Sequence, residues 1–202
     1  KQLNKFNQAS ISLNFVRHFK TLKNDESIFY GTFTESEFLE SGMVHNEQIQ
    51  NLEKINIYCS EAKRTLKTAQ FYNFEDLIIT KDLNEINYGT AENLSFKEYK
   101  LKHPINTKMW DIGIDKRFPK GENNQDVLFR VNKLIDLIDN DSIFFTHQVP
   151  IRVLVGSFYD IPKKDWFKIT IPHNKIIKFK KYKGVLYSDI ERPLLEELFV
   201  NL

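Results

Sequence analysis

The chain has 202 residues, enough to bury one hydrophobic core, and its 29 basic and 27 acidic side chains give a formal net charge of only +2. Hydrophobic residues make up 41% and charged residues 28%, which excludes a disordered, collagen-like or coiled-coil chain. The near balance of charge also disfavours a nucleic-acid binder, because such proteins carry a strong basic excess. We therefore expect a single domain over residues 1–202.

The cysteine content and the apolar runs bear on the cellular compartment. Cys59 is the only cysteine, so an internal disulfide is impossible, and no cysteine–histidine cluster has the spacing of a structural zinc site. No apolar run approaches the roughly 20 residues that cross a bilayer. We expect a reducing, cytoplasmic location without membrane contact. Because the chain begins at Lys1 rather than at Met, the presence of a targeting segment removed before it stays open.

The first part of the chain predicts two strands that end in reactive side chains. Ile11 to Val16 read as a β-strand that ends at Arg17-His18, and a second strand runs from Ile55 to Cys59. Ser60 is expected to cap the helix that follows the second strand. Periodicity is poor between Asn24 and Gln48, which predicts a long loop that leads into a helix and borders a site.

The second part adds helices and one more strand. Ser95 to Glu98 fit a capping box that opens a short helix, which must end near Pro104. Val127 to Ile138 carry the apolar face of a strong amphipathic helix. A buried strand then runs from Ser142 to Thr146-His147, and another helix follows directly.

Strands that alternate with helices imply an α/β fold. We predict a three-layer sandwich with a mostly parallel central sheet and helices on both faces. The segment Lys175 to Ser188, with Gly184 in its middle, predicts a hairpin at the sheet edge. Its basic tract, Phe179 to Lys183, is interpreted as a solvated strand end rather than a nucleic-acid patch.

Three segments carry reactive side chains to one edge of this sheet: Arg17-His18, Ser60 to Arg64, and His147. Ligands bind open parallel sheets beyond the carboxyl ends of the strands. Arginine presents a planar fork of donors that matches phosphate oxygens, and a neutral imidazole among such donors can attack phosphorus in line. Each residue alone fits a structural role better, but together they favour phosphomonoester chemistry.

The segments also form an ordered set of motifs. In chain order they are Arg17-His18-Phe19-Lys20-Thr21 with Asn24, Ser60 to Ala69 around Arg64, Leu83-Asn84-Glu85 with Gly89, Gly121 to Val127 with Arg130, and Thr146-His147-Gln148. This set resembles the histidine phosphatase superfamily, also called the phosphoglycerate mutase-like family. Because the motifs occur in family order over nearly the whole chain, the resemblance implies the phosphoglycerate mutase-like fold.

The resemblance also implies roles for the matching residues. His18 would be the nucleophile that becomes phosphohistidine. The phosphoryl group would be bound by Arg17, Asn24, Arg64, His147 and the backbone N–H of Gln148. Glu85 would be the general acid for the leaving oxygen and then the base that activates water; its alternative is a solvated loop carboxylate. No cofactor and no metal is expected, because arginines and imidazoles supply the positive field.

Two residues depart from the family pattern beside the expected phosphate. Phe19 and Gln148 stand where the family has glycine after each histidine, so they either narrow substrate choice or mark a catalytically weakened phospholigand-binding module. Only about 35 residues separate Glu85 from Gly121, which resembles compact phosphatases more than mutases, with their longer insertion. We expect hydrolysis of a small phosphorylated metabolite, with phosphoglycerate mutase-type transfer as the alternative. The physiological substrate and the oligomeric state stay open.

The sequence gives less support for a catalytic or binding role of the other histidines and the cysteine. His173 and Asn174 fall in a late loop near the expected site, where a structural role is favoured over substrate contact. His45 and His103 are interpreted as solvated residues. Cys59 is expected to be a buried strand thiol rather than a nucleophile.

Overall fold

The fold, described here for residues 10–202 of a computed structural model, is organised around a six-stranded sheet. Its strands are β1 (Ile11–Arg17), β2 (Asn56–Cys59), β3 (Leu77–Ile79), β4 (Ser142–Thr146), β5 (Ile176–Tyr182) and β6 (Val185–Ser188). They lie in the order β3-β2-β4-β1-β5-β6. The first four of these pair in parallel, whereas β5 and β6 are antiparallel to their neighbours. The predicted mostly parallel sheet is confirmed.

Helices join the strands over the described part of the chain. They are α1 (Leu22–Asp25), α2 (Glu47–Gln50), α3 (Lys63–Phe71), α4 (Phe96–Lys102), α5 (Pro104–Asp111), α6 (Asn124–Leu137), α7 (Gln148–Phe158) and α8 (Arg192–Leu198). Short 3-10 turns lie at Glu40–Gly42, Lys81–Leu83, Gly89–Ala91 and Lys163–Lys168. The capping box predicted at Ser95 and Glu98 opens α4, and a second one between Asn123 and Asp126 opens α6.

The central strands supply two hydrophobic cores, one on each face of the sheet. Leu13 and Phe15 of β1 pack with Phe144 of β4 in the cluster that includes α6 and α7. The residues that alternate with them, Val16 and Phe145, belong to the cluster that includes α3. Because side chains of a strand point alternately to opposite faces, this division confirms the predicted layers of helices on both sides.

The predicted edge hairpin is formed by β5 and β6. Lys183 and Gly184 make its turn with left-handed φ angles of 49° and 77°. Within the basic tract, Phe179 is fully buried. The Lys181 ammonium donates to three carbonyls at the end of α6, at 2.8 to 2.9 Å. The Lys181 ammonium therefore satisfies carbonyl groups at the C-terminus of α6 and is not free in solvent.

Several elements differ from the sequence-based expectation. Ala62, not Ser60, is the N-cap of α3, because the Ser60 hydroxyl is engaged elsewhere. The edge strand β3 and helix α8 were not predicted, nor was α5, which starts at Pro104 because the first turn needs no N–H there. None of the helices between residues 10 and 202 combines the length and hydrophobicity that a bilayer-spanning segment needs.

Candidate active site

His18 lies directly after β1 at the carboxyl edge of the sheet, with only 2% of its surface exposed. Its backbone N–H donates to the Thr146 carbonyl at 3.1 Å, which ties it to the end of β4. Its Nδ1 lies 2.6 Å from the Phe19 carbonyl. Since a carbonyl only accepts, Nδ1 carries the proton and Nε2 presents a lone pair. Burial, followed by the Arg64 charge, lowers the pKa of His18 well below its usual value, so the imidazole is neutral at pH 7.

Arg64 lies in the first turn of α3 and faces the lone pair of His18 Nε2. Its Nε donates to His18 Nε2 at 3.1 Å, and its Nη2 contacts His147 Nδ1 at 3.0 Å. Its remaining N–H groups donate to carbonyls of the segment Tyr30–Thr34, which we call the strap: Gly31 at 3.0 Å, Thr32 at 3.2 Å and Thr34 at 3.5 Å. The five N–H donors of the guanidinium therefore face five acceptors.

His147 is the N-cap of α7 and is fully buried. Because its Nδ1 accepts from Arg64, the proton lies on Nε2, which donates to Ser60 Oγ at 2.7 Å. The Ser60 hydroxyl is 2.8 Å from Thr65 Oγ1, which in turn donates to the Ala62 carbonyl at 2.7 Å. Burial and then the Arg64 charge lower the pKa of His147 well below its usual value. Two neutral imidazoles thus face one edge of one guanidinium.

Arg17 and His173 join the His18 segment to the C-terminal loop. Arg17 Nη1 donates to the Ile171 carbonyl at 2.8 Å, while its buried Nε has no hydrogen-bond partner among residues 10–202. His173 Nδ1 donates to the His18 carbonyl at 2.7 Å. Burial lowers the pKa of Arg17 to about 10, and burial with the Arg17 charge lowers that of His173 to about 3. Arg17 therefore stays charged. The ring of neutral His173 lies 5.5 Å from that of His18, and its structural role stays a prediction.

Glu85 lies beside this cluster and is only 7% exposed, so it is not a solvated loop carboxylate. Its Oε1 accepts from the backbone N–H of Ile86 at 2.9 Å and from that of Val149, in the first turn of α7, at 3.2 Å. Burial raises the pKa of Glu85 more than the Ile86 N–H and the nearby Arg64 charge lower it. A carboxyl group with a raised pKa retains a proton closer to neutral pH, as a general acid requires.

Phe19 carries the bulk that replaces the family's glycine after His18. Its side chain is fully buried in the core beneath α3. It packs there at ring centroid distances of 4.9 to 6.0 Å against Phe38, Phe71 and Tyr72. Only its carbonyl faces the imidazole of His18. The Phe19 ring, which replaces the family's glycine, is therefore part of the hydrophobic core.

Two predicted phosphate ligands, the Asn24 side chain and the Gln148 N–H, make no hydrogen bond to the histidine rings among the described residues. The Asn24 side-chain oxygen accepts from the backbone N–H and the hydroxyl of Thr21, both at 2.9 Å, and so caps α1. Gln148 is half-buried at the start of α7. Phosphate binding by Asn24 or by the Gln148 N–H stays a prediction.

Sequence reasoning missed two residues near the site. Arg152 lies on α7, five positions after His147. Burial lowers the pKa of Arg152, and the charges of Tyr88 and Glu85 oppose this lowering. Its position one turn beyond Gln148 was a usable signal, because residues four apart share a helix face. Tyr30 has its ring centroid 4.1 Å from the Arg64 guanidinium carbon. Nothing in the aperiodic loop around Tyr30 indicated this contact.

A cavity of about 750 Å³ opens beside the strap. It is bordered by Gly31 to Thr34, Glu85 and Arg130, together with several acidic side chains, but not by His18, Arg64 or His147. The two imidazoles therefore do not border this cavity, whereas the Glu85 segment does, and Arg64 borders a smaller pocket together with Tyr30 and Thr34. Over the described residues, no group of three or more histidine, cysteine, aspartate or glutamate side chains is placed to hold a metal ion.

Comparisons with known proteins identify the family of this chain. The sequence model of the histidine phosphatase superfamily (branch 1) matches residues 13–186, which include both histidines, Arg64 and Glu85. The fructose-2,6-bisphosphatase of Saccharomyces cerevisiae is 24% identical over 81% of this chain and 38% of its own length. A 6-phosphofructo-2-kinase/fructose-2,6-bisphosphatase of Rattus norvegicus is 27% identical over 64% of this chain and 28% of its own length. The chain thus spans less than two fifths of these curated relatives.

Solved structures share the fold. The alpha-ribazole phosphatase from Shigella flexneri superposes with a TM-score of 0.72 at 19% identity, covering 89% of this chain and 95% of the other. A mycobacterial glucosyl-3-phosphoglycerate phosphatase gives a TM-score of 0.72 at 17% identity, covering 90% and 98%. At these identities the likeness shows the fold alone. It places the carboxyl edge of the sheet in the same architecture as that of the two phosphatases.

Proposed function

The chain belongs to the histidine phosphatase superfamily, and on this premise we propose that it hydrolyses phosphomonoesters of small metabolites through a phosphohistidine at His18. The observation that carries the proposal is the shared edge of Arg64, whose Nε and Nη2 lie 3.1 and 3.0 Å from the ring nitrogens of His18 and His147. Three nitrogen-bearing side chains meet there in a buried cluster, and no carboxylate among residues 10–202 is hydrogen-bonded to any of them. Such a cluster suits an anion.

A phosphoryl group bound between Arg64 and the two histidines would accept the hydrogen bonds that Arg64 now donates to the histidines. It would accept from Nε and Nη2 of Arg64, while the strap keeps the other N–H groups in place. Arg17, with its unpartnered buried Nε, supplies a second guanidinium. His147 can donate from Nδ1 once the proton moves there, because the Ser60 hydroxyl can then donate to Nε2.

In the first step, His18 Nε2 forms a bond to phosphorus while the ester P–O bond breaks in line with it. The leaving oxygen takes the proton of Glu85, whose raised pKa keeps that proton available. The Phe19 carbonyl holds Nδ1–H and stabilises the positive charge that the ring gains. The arginines stabilise negative charge on the three transferred oxygens. The products are an alcohol and phosphohistidine.

In the second step, water attacks the phosphorus of phosphohistidine and the P–N bond breaks. The Glu85 carboxylate takes a proton from that water, so the acid of the first step is regenerated. Inorganic phosphate leaves, and His18 returns to its neutral form with Nδ1 still donating to the Phe19 carbonyl. Arginines and imidazoles supply all the positive charge that these steps need, so we propose a metal-independent mechanism.

The substrate class is proposed from the relatives. The curated relatives are named for fructose-2,6-bisphosphate, and the structural neighbours for α-ribazole phosphate and glucosyl-3-phosphoglycerate. These are small phosphorylated metabolites with different leaving groups. The non-catalytic alternative loses one of its two motivations, since the Phe19 side chain lies in the core, while Gln148 remains. A panel of such esters is the appropriate screen.

The test is phosphate release from an aryl phosphate and from the three esters above, with and without a metal chelator. We expect the same rate in both conditions, and a loss of about a thousandfold or more in His18→Ala. Quenching the wild type with substrate should trap an acid-labile, base-stable phosphoprotein that His18→Ala does not form. Full activity in His18→Ala would falsify the mechanism.

The remaining outcomes separate the alternatives. Transfer of the phosphoryl group to a second metabolite without phosphate release would replace hydrolysis by mutase-type transfer. Tight binding of the esters without turnover would indicate a phospholigand-binding module. Loss of activity with the chelator would contradict the metal-independent mechanism.

A further inference from the structure

Tyr30 is the first residue of the strap and lies against the face of the phosphoryl-binding guanidinium. Its ring centroid is 4.1 Å from the Arg64 guanidinium carbon, and the residue is only 7% exposed. A guanidinium over an aromatic face is attracted by the quadrupole of the ring, and the attraction is strongest where water is excluded. One broad face of Arg64 is therefore fixed by an aromatic ring.

The residues that follow Tyr30 fix the rim of the same guanidinium. Carbonyls of Gly31, Thr32 and Thr34 accept from Nη2 and Nη1 of Arg64 at 3.0 to 3.5 Å. The donors left facing away from the strap are Nε–H and one Nη2–H, which form the side-on edge toward the histidines. That edge is the one that binds two oxygens of a phosphoryl group in parallel.

The strap itself is held by a carboxylate. Glu92 accepts from the Gly31 N–H at 2.8 Å and from the Thr34 hydroxyl. A Cβ on residue 31 would lie 2.5 Å from Glu92 Oε2, so glycine at this position lets the carboxylate approach closely. Phe29, directly before the strap, is hydrogen-bonded through its backbone to Asn93 and Leu94 at 2.8 and 2.9 Å, which also restrains the strap. Tyr30 is thus presented to Arg64 by a restrained segment.

We propose that Tyr30 is a positioning residue for the phosphoryl group: its ring, with the strap carbonyls, holds Arg64 so that only the Nε–Nη2 edge is offered to the anion. The inference rests on the proposed function and deepens it. The ring is the active part: the Tyr30 hydroxyl lies near enough to Arg64 to raise the pKa of the guanidinium, but it makes no hydrogen bond of regular geometry among the described residues. A buried hydroxyl without such a bond costs stability, so its removal is tolerated.

The experiment compares Tyr30→Leu, which removes the ring, with Tyr30→Phe, which keeps it. Inorganic phosphate binding is measured by calorimetry, kcat and KM with an aryl phosphate, and the mobility of the Arg64 Nε–H by ¹⁵N NMR. We expect Tyr30→Leu to weaken phosphate binding about tenfold and to release Arg64 from restricted rotation. Tyr30→Phe should restore both the affinity and the restricted Arg64 signal.

Tyr159→Leu is the matched control, because it removes a half-buried tyrosine ring that packs on Phe158 and Phe199, at centroid distances of 5.0 and 5.4 Å, and has no recorded contact with the strap. It should lower the melting temperature without changing phosphate affinity. The proposal is overturned if Tyr30→Leu leaves the Arg64 signal and phosphate affinity unchanged, or if Tyr30→Phe loses as much affinity as Tyr30→Leu. Absence of phosphate release by the wild type, with the NMR change intact, would instead contradict the proposed function alone.

Discussion

The two histidines of the site share one arginine but are anchored differently at their far nitrogens. His18 holds Nδ1–H against the Phe19 carbonyl at 2.6 Å, and a carbonyl can only accept. His147 holds its Nε2 against the Ser60 hydroxyl at 2.7 Å, and a hydroxyl can both donate and accept. The first ring is locked in one tautomer, whereas the second is free to change.

This difference suits two different tasks. A nucleophile must keep its lone pair directed at phosphorus, which the fixed Phe19 carbonyl ensures for His18. A residue that binds a phosphoryl oxygen must present an N–H, and His147 can do so if its proton moves to Nδ1 and the Ser60 hydroxyl reverses. The chemical type of the far partner therefore separates attack from binding, although both rings are neutral and buried.

The strongest test of this comparison is His147→Ala beside His18→Ala. We expect His147→Ala to lower kcat/KM about a hundredfold, because one phosphoryl donor is lost while the nucleophile remains. The phosphoprotein should still form slowly on His18, which rapid-quench measurement detects. Equal and complete loss of phosphoprotein in both variants would contradict the division of tasks.

A smaller effect is expected from Ser60→Ala, which removes the hydroxyl that allows His147 to change tautomer. We expect a loss of about tenfold in kcat/KM, since a buried ring nitrogen is left unsatisfied. Thr65→Val is the matched control, because Thr65 contacts Ser60 Oγ but not His147. Steady-state kinetics with an aryl phosphate measure both variants. A Ser60→Ala enzyme as active as the wild type would show that the hydroxyl partner is unimportant.

The smallest effect on catalysis is expected at Phe19, whose carbonyl anchors His18 while its side chain lies in the core. Phe19→Ala should lower the free energy of unfolding by about 3 to 5 kcal/mol, because a fully buried ring leaves a cavity. The kcat of the folded enzyme should stay within a few-fold of the wild type. Denaturant titration and kcat at low temperature measure the two quantities. If kcat collapses while stability is unchanged, the side chain itself acts at the site.

Much of the fold followed from local patterns. The strands at Ile11 and Ser142, the long helix around Val131 and the capping box at Ser95 are each encoded in a few neighbouring residues. Such signals are local because hydrophobic periodicity and capping involve contacts within a turn or two. The exposed edge strand β3 carried no such signal, since Ile78 and Ile79 are 45% and 55% exposed and bury no regular face.

The site was predicted unevenly for the same reason. His18, Arg64, Glu85 and His147 belong to motifs that a family resemblance identifies, and the chain's membership of that family is now established. Tyr30 lies in an aperiodic loop, and Arg152 lies on a helix face whose neighbours are set by packing. Ser60 was assigned to a helix cap, because the sequence does not show that its hydroxyl meets a histidine 87 positions away.

By itself the sequence determined which chemical groups are present and the order of strands and helices that carries them to one edge of the sheet. Only the tertiary structure decided which acceptor each imidazole nitrogen meets, where the Phe19 ring goes, and how the strap turns the edge of Arg64 toward the histidines. Those features depend on contacts between distant segments. Hydrogen-bond partners, burial and pKa are properties of such contacts, and no single segment of the chain contains them.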